Sequence, residues 1–447
     1  MKRWIPLALA LALLSTVVRL PAVAASGMST LELDELGTSF TRLTTEFYKK
    51  VDTQAVLDGV HAQLVSFLTK NGIAKPSVPF AKASDDQQAT LRELDREVNA
   101  VAMAYGAKFG TRQITYEAIS GMLGAVHDKY TVFLSPKQYA ELNEGLDGGN
   151  FGGVGLSMMI DDATKMLRVN DVIPDGPADK AGIQADDIIT TINGKTTKGL
   201  TTEQDSKLLR GTPGTRVTIT ILRNGQMLPS PITITRAMIH APSVFAKMLP
   251  NHIGYTQLTV FGLNTASELS KALAKLDAEG AKAYILDLRN NGGGYLNAAI
   301  DVSSKFVPSG PIVTVEARQG NNTEFDAENT AIPPRPLVVL VNKLTASASE
   351  ITSGAIQDNG VGTLIGVRTY GKGVVQTIYP LPDGSAVKIT TARYVTPKGR
   401  DINSVGIQPD VVVDENASPR YGDPARDLQL QTAITYLQGK IAQNDQP

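Results

Sequence analysis

Three short apolar runs, Tyr284–Leu288, Leu337–Val341 and Thr363–Val367, alternate with two helix-length segments, Tyr295–Phe306 and Ala348–Asp358. Strands alternating with helices in this way predict an α/β core, here spanning residues 240–415. The stretch before it has a different texture. Gly-rich Gly148 to Gly155 leads into alternating apolar and polar residues over 147–236, and Asn193-Gly194 and Asn224-Gly225 mark two hairpin turns. That pattern predicts a mostly-β module with one short helix at Glu203–Leu209. After the core, Asp427–Gln438 reads as a final helix in a tail covering 416–447.

Residues 25–142 read as a helical region. Leu57, Val60, Leu64 and Phe67 follow helical spacing, and Asn71-Gly72 closes that segment. A second helix is expected to start at Ser84, with Gln87 completing a capping box, and to run through Leu91, Leu94, Val98, Val101, Tyr105 and Phe109. A helix pair packing on itself and a dimerisation arm fit this pattern equally. At the start of the chain, Lys2 and Arg3 precede an apolar run from Trp4 to Val18, followed by Ala22-Val23-Ala24. A charged start, a short apolar stretch and an A-x-A site predict an export signal over residues 1–24. The run is shorter than the roughly 20 residues that a membrane-spanning helix needs. The protein is therefore expected to be exported, with the periplasm as its destination.

Composition removes several function classes. The 43 Lys and Arg balance 44 Asp and Glu, which argues against nucleic acid as a partner. The chain has no cysteine, so disulfides, thiolate metal sites and a Cys nucleophile are excluded. With four His and no HExxH, no metal site is expected.

Three segments carry chemistry. In Thr345-Ala346-Ser347-Ala348-Ser349-Glu350-Ile351 a buried strand runs through a turn into a Ser/Ala-rich helix. A Ser at a helix N-terminus is placed to attack a carbonyl, with an adjacent N–H to hold the oxyanion. The same residues, Ser347 and Glu350, also spell a capping box with no catalytic role. Gly366 to Gly373 nearly matches a P-loop, but Gly373 replaces its Ser/Thr and a strand follows in place of a helix, which removes phosphate binding. Lys372, between two glycines, is either an exposed turn residue or a lysine brought against another backbone. Buried beside a Ser, its amine would lose charge and could act as a general base. If the following strand is regular, Lys372, Val374 and Gln376 share a face. Finally, Arg289-Asn290-Asn291-Gly292-Gly293-Gly294 lacks the dinucleotide-binding spacing. It reads either as an oxyanion donor at Gly292 or Gly293, or as a glycine-rich turn alone.

Together these elements resemble the C-terminal processing peptidases, tail-specific serine proteases with a Ser–Lys catalytic pair. The resemblance covers roughly residues 113–415. It is carried by Ala118-Ile119-Ser120-Gly121-Met122-Leu123, Tyr130-Thr131-Val132-Phe133-Leu134-Ser135-Pro136, Gly153-Val154-Gly155-Leu156, and Leu286 to Gly294. Further blocks are Thr345 to Ile351, Gly371-Lys372-Gly373, Tyr394 to Arg400 and Gly406-Ile407-Gln408-Pro409-Asp410. The resemblance implies a crotonase-like α/β peptidase core carrying an inserted PDZ domain. It implies Ser347 as nucleophile, since the family's base Lys follows 25 residues later, where Lys372 stands. It further implies Gln376 as the residue orienting Lys372, and Ala348 with Gly292 or Gly293 as oxyanion donors.

In the PDZ segment the resemblance implies carboxylate capture by the loop Gly153, Val154, Gly155 and Leu156, with Arg210 coupling peptide docking to activation. As a plain sequence feature, Arg210 is a solvated helix-end residue. The expected partners are proteins or peptides with exposed C-terminal tails, an adaptor that delivers them, and further copies of the chain; no cofactor is implied. Two departures stand out. The family's D-P-[YH]-[ST] reads Asp128-Lys129-Tyr130-Thr131, and residues 72–112 form an extra helical insertion. Competing functions are a PDZ-based binding protein with an inactive core and a Ser–His–Asp hydrolase, although no G-x-S-x-G elbow is present.

Overall fold

A computed structural model describes residues 27–146, 150–161, 163–173, 175–240, 242–415 and 421–444. The expected export signal lies outside the described residues, as do positions 147–149 and 416–420. The chain divides into two compact units, one of residues up to 41 plus 52–127, the other of 42–51 plus 128 onward.

The first unit is helical. Its Thr53–Lys70 helix begins at Asp52, whose carboxylate accepts the Gln54 and Ala55 N–H groups, and it closes on Asn71. Leu57, Val60 and Leu64 are buried along it, as their spacing predicts. The next helix spans Gln87–Phe109 and is capped by Asp86, not by Ser84 as expected. Asp86 sits directly before the first helical residue and accepts the Gln88 N–H at 2.9 Å. The Ser84 hydroxyl instead accepts the Asp86 N–H, in a turn preceding the helix. A separate helix follows at Thr111–Gly124.

In the second unit the central sheet has six strands that lie in chain order: Val244–Leu249, Ile253–Leu258, Ala283–Asp287, Leu337–Val341, Thr363–Gly366 and Val411–Val412. The first pair is antiparallel and the remaining pairs are parallel. The apolar runs are continuous because both faces are covered. Tyr284, Leu286, Val339 and Val341 pack with the helices Thr265–Ala278, Leu296–Ser303 and Ala348–Asp358. Ala283, Ile285, Val338 and Leu340 alternate to the other face, against Leu430, Ala433 and Leu437 of the final helix, Leu428–Asn444. A second, antiparallel sheet pairs Ala386–Val395 with Val132–Leu134, Pro311–Ala317 and Val374–Pro380.

The mostly-β module leaves and re-enters this unit through a two-stranded neck, in which Asn150–Gly153 pairs antiparallel with Ala237–His240. Its own sheet is antiparallel throughout. Asn193-Gly194 and Asn224-Gly225 have positive φ at both residues, as the two-residue hairpin turns require. The expected short helix spans Thr202–Leu209, behind a Thr201–Gln204 capping box.

One buried ion cluster fixes the loop that follows Ala283–Asp287. The Arg289 guanidinium bonds both oxygens of Asp287 (2.9 and 2.6 Å) and both of Asp427 (2.7 Å each). All three residues are at most 2% exposed. Removing one member leaves a buried charge without its partner, the costly case for such clusters. We expect Asp427→Ala to lower the unfolding free energy by about 3–5 kcal/mol, read from urea denaturation.

Candidate active site

Three loops leave the carboxyl ends of neighbouring parallel strands, the edge where open α/β sheets gather their functional groups. They follow Asp287, Val341 and Gly366. Asn342 ties the first two together: it accepts the Asn290 N–H at 3.0 Å and donates to the Asn290 side chain at 2.9 Å. The Asn291 carbonyl takes the Ala346 N–H at 3.1 Å and the Ser349 hydroxyl at 2.9 Å. The Tyr370 N–H reaches back to the Thr345 carbonyl at 3.0 Å, joining the third loop.

Ser347 sits at the tip of the second loop, at the N-terminus of the Ala348–Asp358 helix, with φ 57° and ψ −119°. A non-glycine residue in that region carries roughly 1–3 kcal/mol of strain and persists only where its surroundings enforce it. They do so through Gly293, where a Cβ would stand 2.8 Å from the Ala346 carbonyl, the Ala348 nitrogen and Ser347 Cβ. Of the capping box read from the sequence, the bond from the Ser347 N–H to the Glu350 carboxylate is formed, and the Ser347 hydroxyl takes no cap bond. The Glu350 carboxylate accepts the Ser347 N–H at 2.9 Å, while the Glu350 N–H goes to the Ser347 carbonyl at 2.7 Å.

The same carboxylate holds the third loop. It accepts the Gly371 N–H at 2.7 Å, the Lys372 N–H at 2.8 Å and the Thr369 hydroxyl at 2.5 Å. Lys372 is the lysine brought against another backbone: a Cβ at Gly371 would meet the Gly406 and Val405 nitrogens at 2.8 and 2.9 Å. Its ammonium lies 5.0 Å from the centre of the Tyr130 ring. Burial, reinforced by the nearby charge of Lys388, pushes Lys372 down to about 8. The buried Tyr394 hydroxyl bridges the two loops, 2.6 Å from the Lys372 carbonyl and 3.1 Å from that of Ser347.

Ser347, Ala348, Gly292, Gly293, Lys372 and Gln376 all line one cleft of about 720 Å³. Within it the sequence-derived positions differ in detail. The Gly293 N–H is bonded to the Asn291 side chain at 2.9 Å, whereas Gly292 is exposed. The Ser347 carbonyl faces into its helix, so across the peptide plane the Ala348 N–H faces out of it. The strand after Lys372 is not regular, because its register shifts between Val375 and Gln376. The Gln376 amide lies 3.5 Å from the Thr390 hydroxyl. Glu350 figured in the sequence only as a cap. Tyr394 stood in the sequence only within the block Tyr394 to Arg400, with no role assigned, and Lys388 carried no signal, since their neighbours here are distant along the chain. His61, His127 and His252 line no part of the cleft.

In the β module, the Val154 and Gly155 carbonyls accept the Ala178 and Ile173 N–H groups at 2.8 and 3.0 Å. The N–H groups of Gly155 and Leu156 therefore face the opposite way. Gly153 ends the neck strand, and Gly155 has φ +80°. Arg210 is not merely solvated at its helix end. It forms an ion pair with Glu144 and stacks 4.1 Å over the Phe151 ring.

Peptidase family S41 matches residues 252–413, and the PDZ domain family matches 168–223. The chain is 40% identical over 337 residues to the carboxyl-terminal-processing protease of Synechocystis sp., covering 74% of this chain and 78% of that one. The chain belongs to the carboxyl-terminal-processing proteases of family S41. The Bacillus subtilis carboxy-terminal processing protease CtpA is 34% identical over 353 residues, 79% of this chain and 74% of that one. A Bacteroides fragilis crystal structure described as an S41 protease shares the fold at 18% identity, with a TM-score of 0.51 over 70% of this chain and 87% of that one. This processing protease is thus a serine-type peptidase with a PDZ domain. Glu350→Ala would strand four donors of its active-site loops. We expect that variant to lose about 3–5 kcal/mol of stability in thermal or urea unfolding, together with its peptidase activity.

Proposed function

We propose that this processing protease is an exported Ser–Lys endopeptidase that binds the C-terminal tails of proteins through its PDZ domain and cleaves them. The observation that carries the reading is the sharing of one cleft by Ser347 and a half-buried Lys372, their backbones joined through Tyr394. Ser347 Oγ attacks the scissile carbonyl and its proton passes to the neutral Lys372 amine. That proton goes to the leaving nitrogen as the C–N bond breaks. Water, deprotonated by the same amine, then releases the acyl group from Ser347. The Ala348 and Gly292 N–H groups hold the oxyanion, and Gly293 gives the room for their approach. Removing one such donor typically costs about 2.7–4 kcal/mol of barrier. Gln376, anchored by Thr390, steadies Lys372.

The loop Gly153–Leu156 presents the Gly155 and Leu156 N–H groups to a chain-terminal carboxylate, with the peptide added as a strand. Arg210 links that domain to the Pro136–Leu146 helix through Glu144, and the end of this helix borders the catalytic cleft. The domain limits are those of the sequence reading: an export signal over 1–24, a helical region over 25–142 read either as a self-packed helix pair or as a dimerisation arm, the PDZ domain over 147–236, the peptidase core over 240–415 and a tail over 416–447. Export to the periplasm rests on residues 1–24. No helix among the described residues is long and apolar enough to cross a membrane. Substrate delivery by an adaptor belongs to the same reading.

The test is incubation of the wild type, Ser347→Ala and Lys372→Ala with reduced casein, followed by mass spectrometry of the fragments. Both variants should purify folded and yield no cleavage; wild-type turnover by Ser347→Ala overturns the assignment. Because only the uncharged amine can accept the proton, kcat/KM should rise with pH and level off above about 8.

A further inference from the structure

We propose that Lys129 and Lys388 are positioning residues for this peptidase, two neighbouring cations that make the Lys372 amine easier to deprotonate. The proposal rests on the reading of Lys372 as general base. Lys129 and Lys372 share one aromatic ring, their ammonium groups lying 4.8 and 5.0 Å from the centre of Tyr130. The two nitrogens are therefore within about 10 Å of each other, with a phenol beside both. Lys129 is exposed but held, since it donates to the Tyr370 hydroxyl at 3.1 Å.

Lys388 approaches from the other sheet. It stands opposite Ile378 in the Ala386–Val395 strand, and it lines the same cleft as Lys372. Among the described residues its ammonium makes no hydrogen bond or ion pair.

The carboxylates that could neutralise this cluster are engaged elsewhere. Glu350 receives the four donors of the loops. Asp128 accepts the Thr131 hydroxyl at 2.8 Å, the Tyr130 N–H at 3.3 Å and the Thr390 hydroxyl. Neither lies within ion-pair distance of Lys372; Glu141, which also lines the cleft, pairs with Lys137 at 3.8 Å, and Tyr130 and Tyr394 are phenols. Burial lowers Lys372 first, Lys388 and Lys129 act in the same direction, and Glu350 and Asp128 oppose them. Of the three lysines Lys372 is the one whose hold on its proton falls furthest. Lys129 is exposed and raised by the Tyr370 hydroxyl, and the fall of Lys388 on burial is opposed by Asp128. A like charge beside a desolvated lysine is a recognised means of making it a base at neutral pH.

The test uses the full chain with reduced casein as substrate. In wild type the rising limb of kcat/KM should lie near pH 8. Lys388→Met should move it upward by about half a unit, lowering activity at neutral pH by about threefold without changing the plateau, and Lys129→Met should move it in the same direction by less. Lys129→Arg should keep the wild-type limb. Because Lys129 faces water, raising salt from about 0.05 to about 0.5 M should move the wild-type limb upward and leave that of Lys129→Met in place.

Acetylation of Lys372 as a function of pH, read by mass spectrometry in a Ser347→Ala background, reports the amine independently of turnover. An unchanged acetylation midpoint in both methionine variants overturns the proposal. A midpoint that rises while the kinetic limb stays fixed upholds the influence of the two lysines and overturns the general-base reading of Lys372.

Discussion

The carboxylate of Glu350 is the interaction on which the catalytic cleft depends. Ser347, Thr369, Gly371 and Lys372 come from two loops on neighbouring strands, and each gives it one hydrogen bond. Its position in the first turn of the Ala348–Asp358 helix suits an anion, because the unpaired N–H groups there carry partial positive charge. A buried carboxylate needs several donors, and the loops need an acceptor that a strand can no longer supply. Each requirement answers the other. The result fixes the backbone on both sides of Ser347 and Lys372 while leaving their side chains free to face the cleft.

Two sheets contribute different things to that cleft. The parallel sheet ends in turns whose N–H groups and strained serine are set by backbone geometry, with Gly293 pressed against Ser347. The antiparallel sheet contributes long side chains, Lys388 and Gln376, from strands that run past the cleft. Tyr394, from that same sheet, bridges the carbonyls of Ser347 and Lys372. A hydrophobic wall of Val374, Val375, Ile351 and Leu296 completes the enclosure that makes the lysine amine less basic.

The alternation of apolar runs with helices made the core legible in the sequence, because a strand covered on both faces leaves an unbroken apolar signature. The hairpins at Asn193-Gly194 and Asn224-Gly225 were legible for an equally local reason, the positive φ that those residues tolerate. Ser347, Lys372 and the glycine loop stood out by motif and spacing. Glu350 was visible only as a helix cap, since its bonds to Gly371 and Lys372 span more than 20 residues. The bulge after Val375 escaped notice because a register shift leaves no mark in one strand alone. Ser84 was misread because two good capping residues, Ser84 and Asp86, stand two positions apart, and the choice between them falls to the one adjoining the helix.

The Asp287–Arg289–Asp427 cluster has a bearing on how the enzyme matures. Arg289 and Asp427 are 138 residues apart in the chain. A ribosome therefore finishes the glycine loop long before it adds the carboxylate that clamps the base of that loop. Until Asp427 arrives, the Arg289 guanidinium lacks half its carboxylate partners. The shape of the glycine loop thus depends on a segment near the far end of the chain, and the two ends of the peptidase core are completed together.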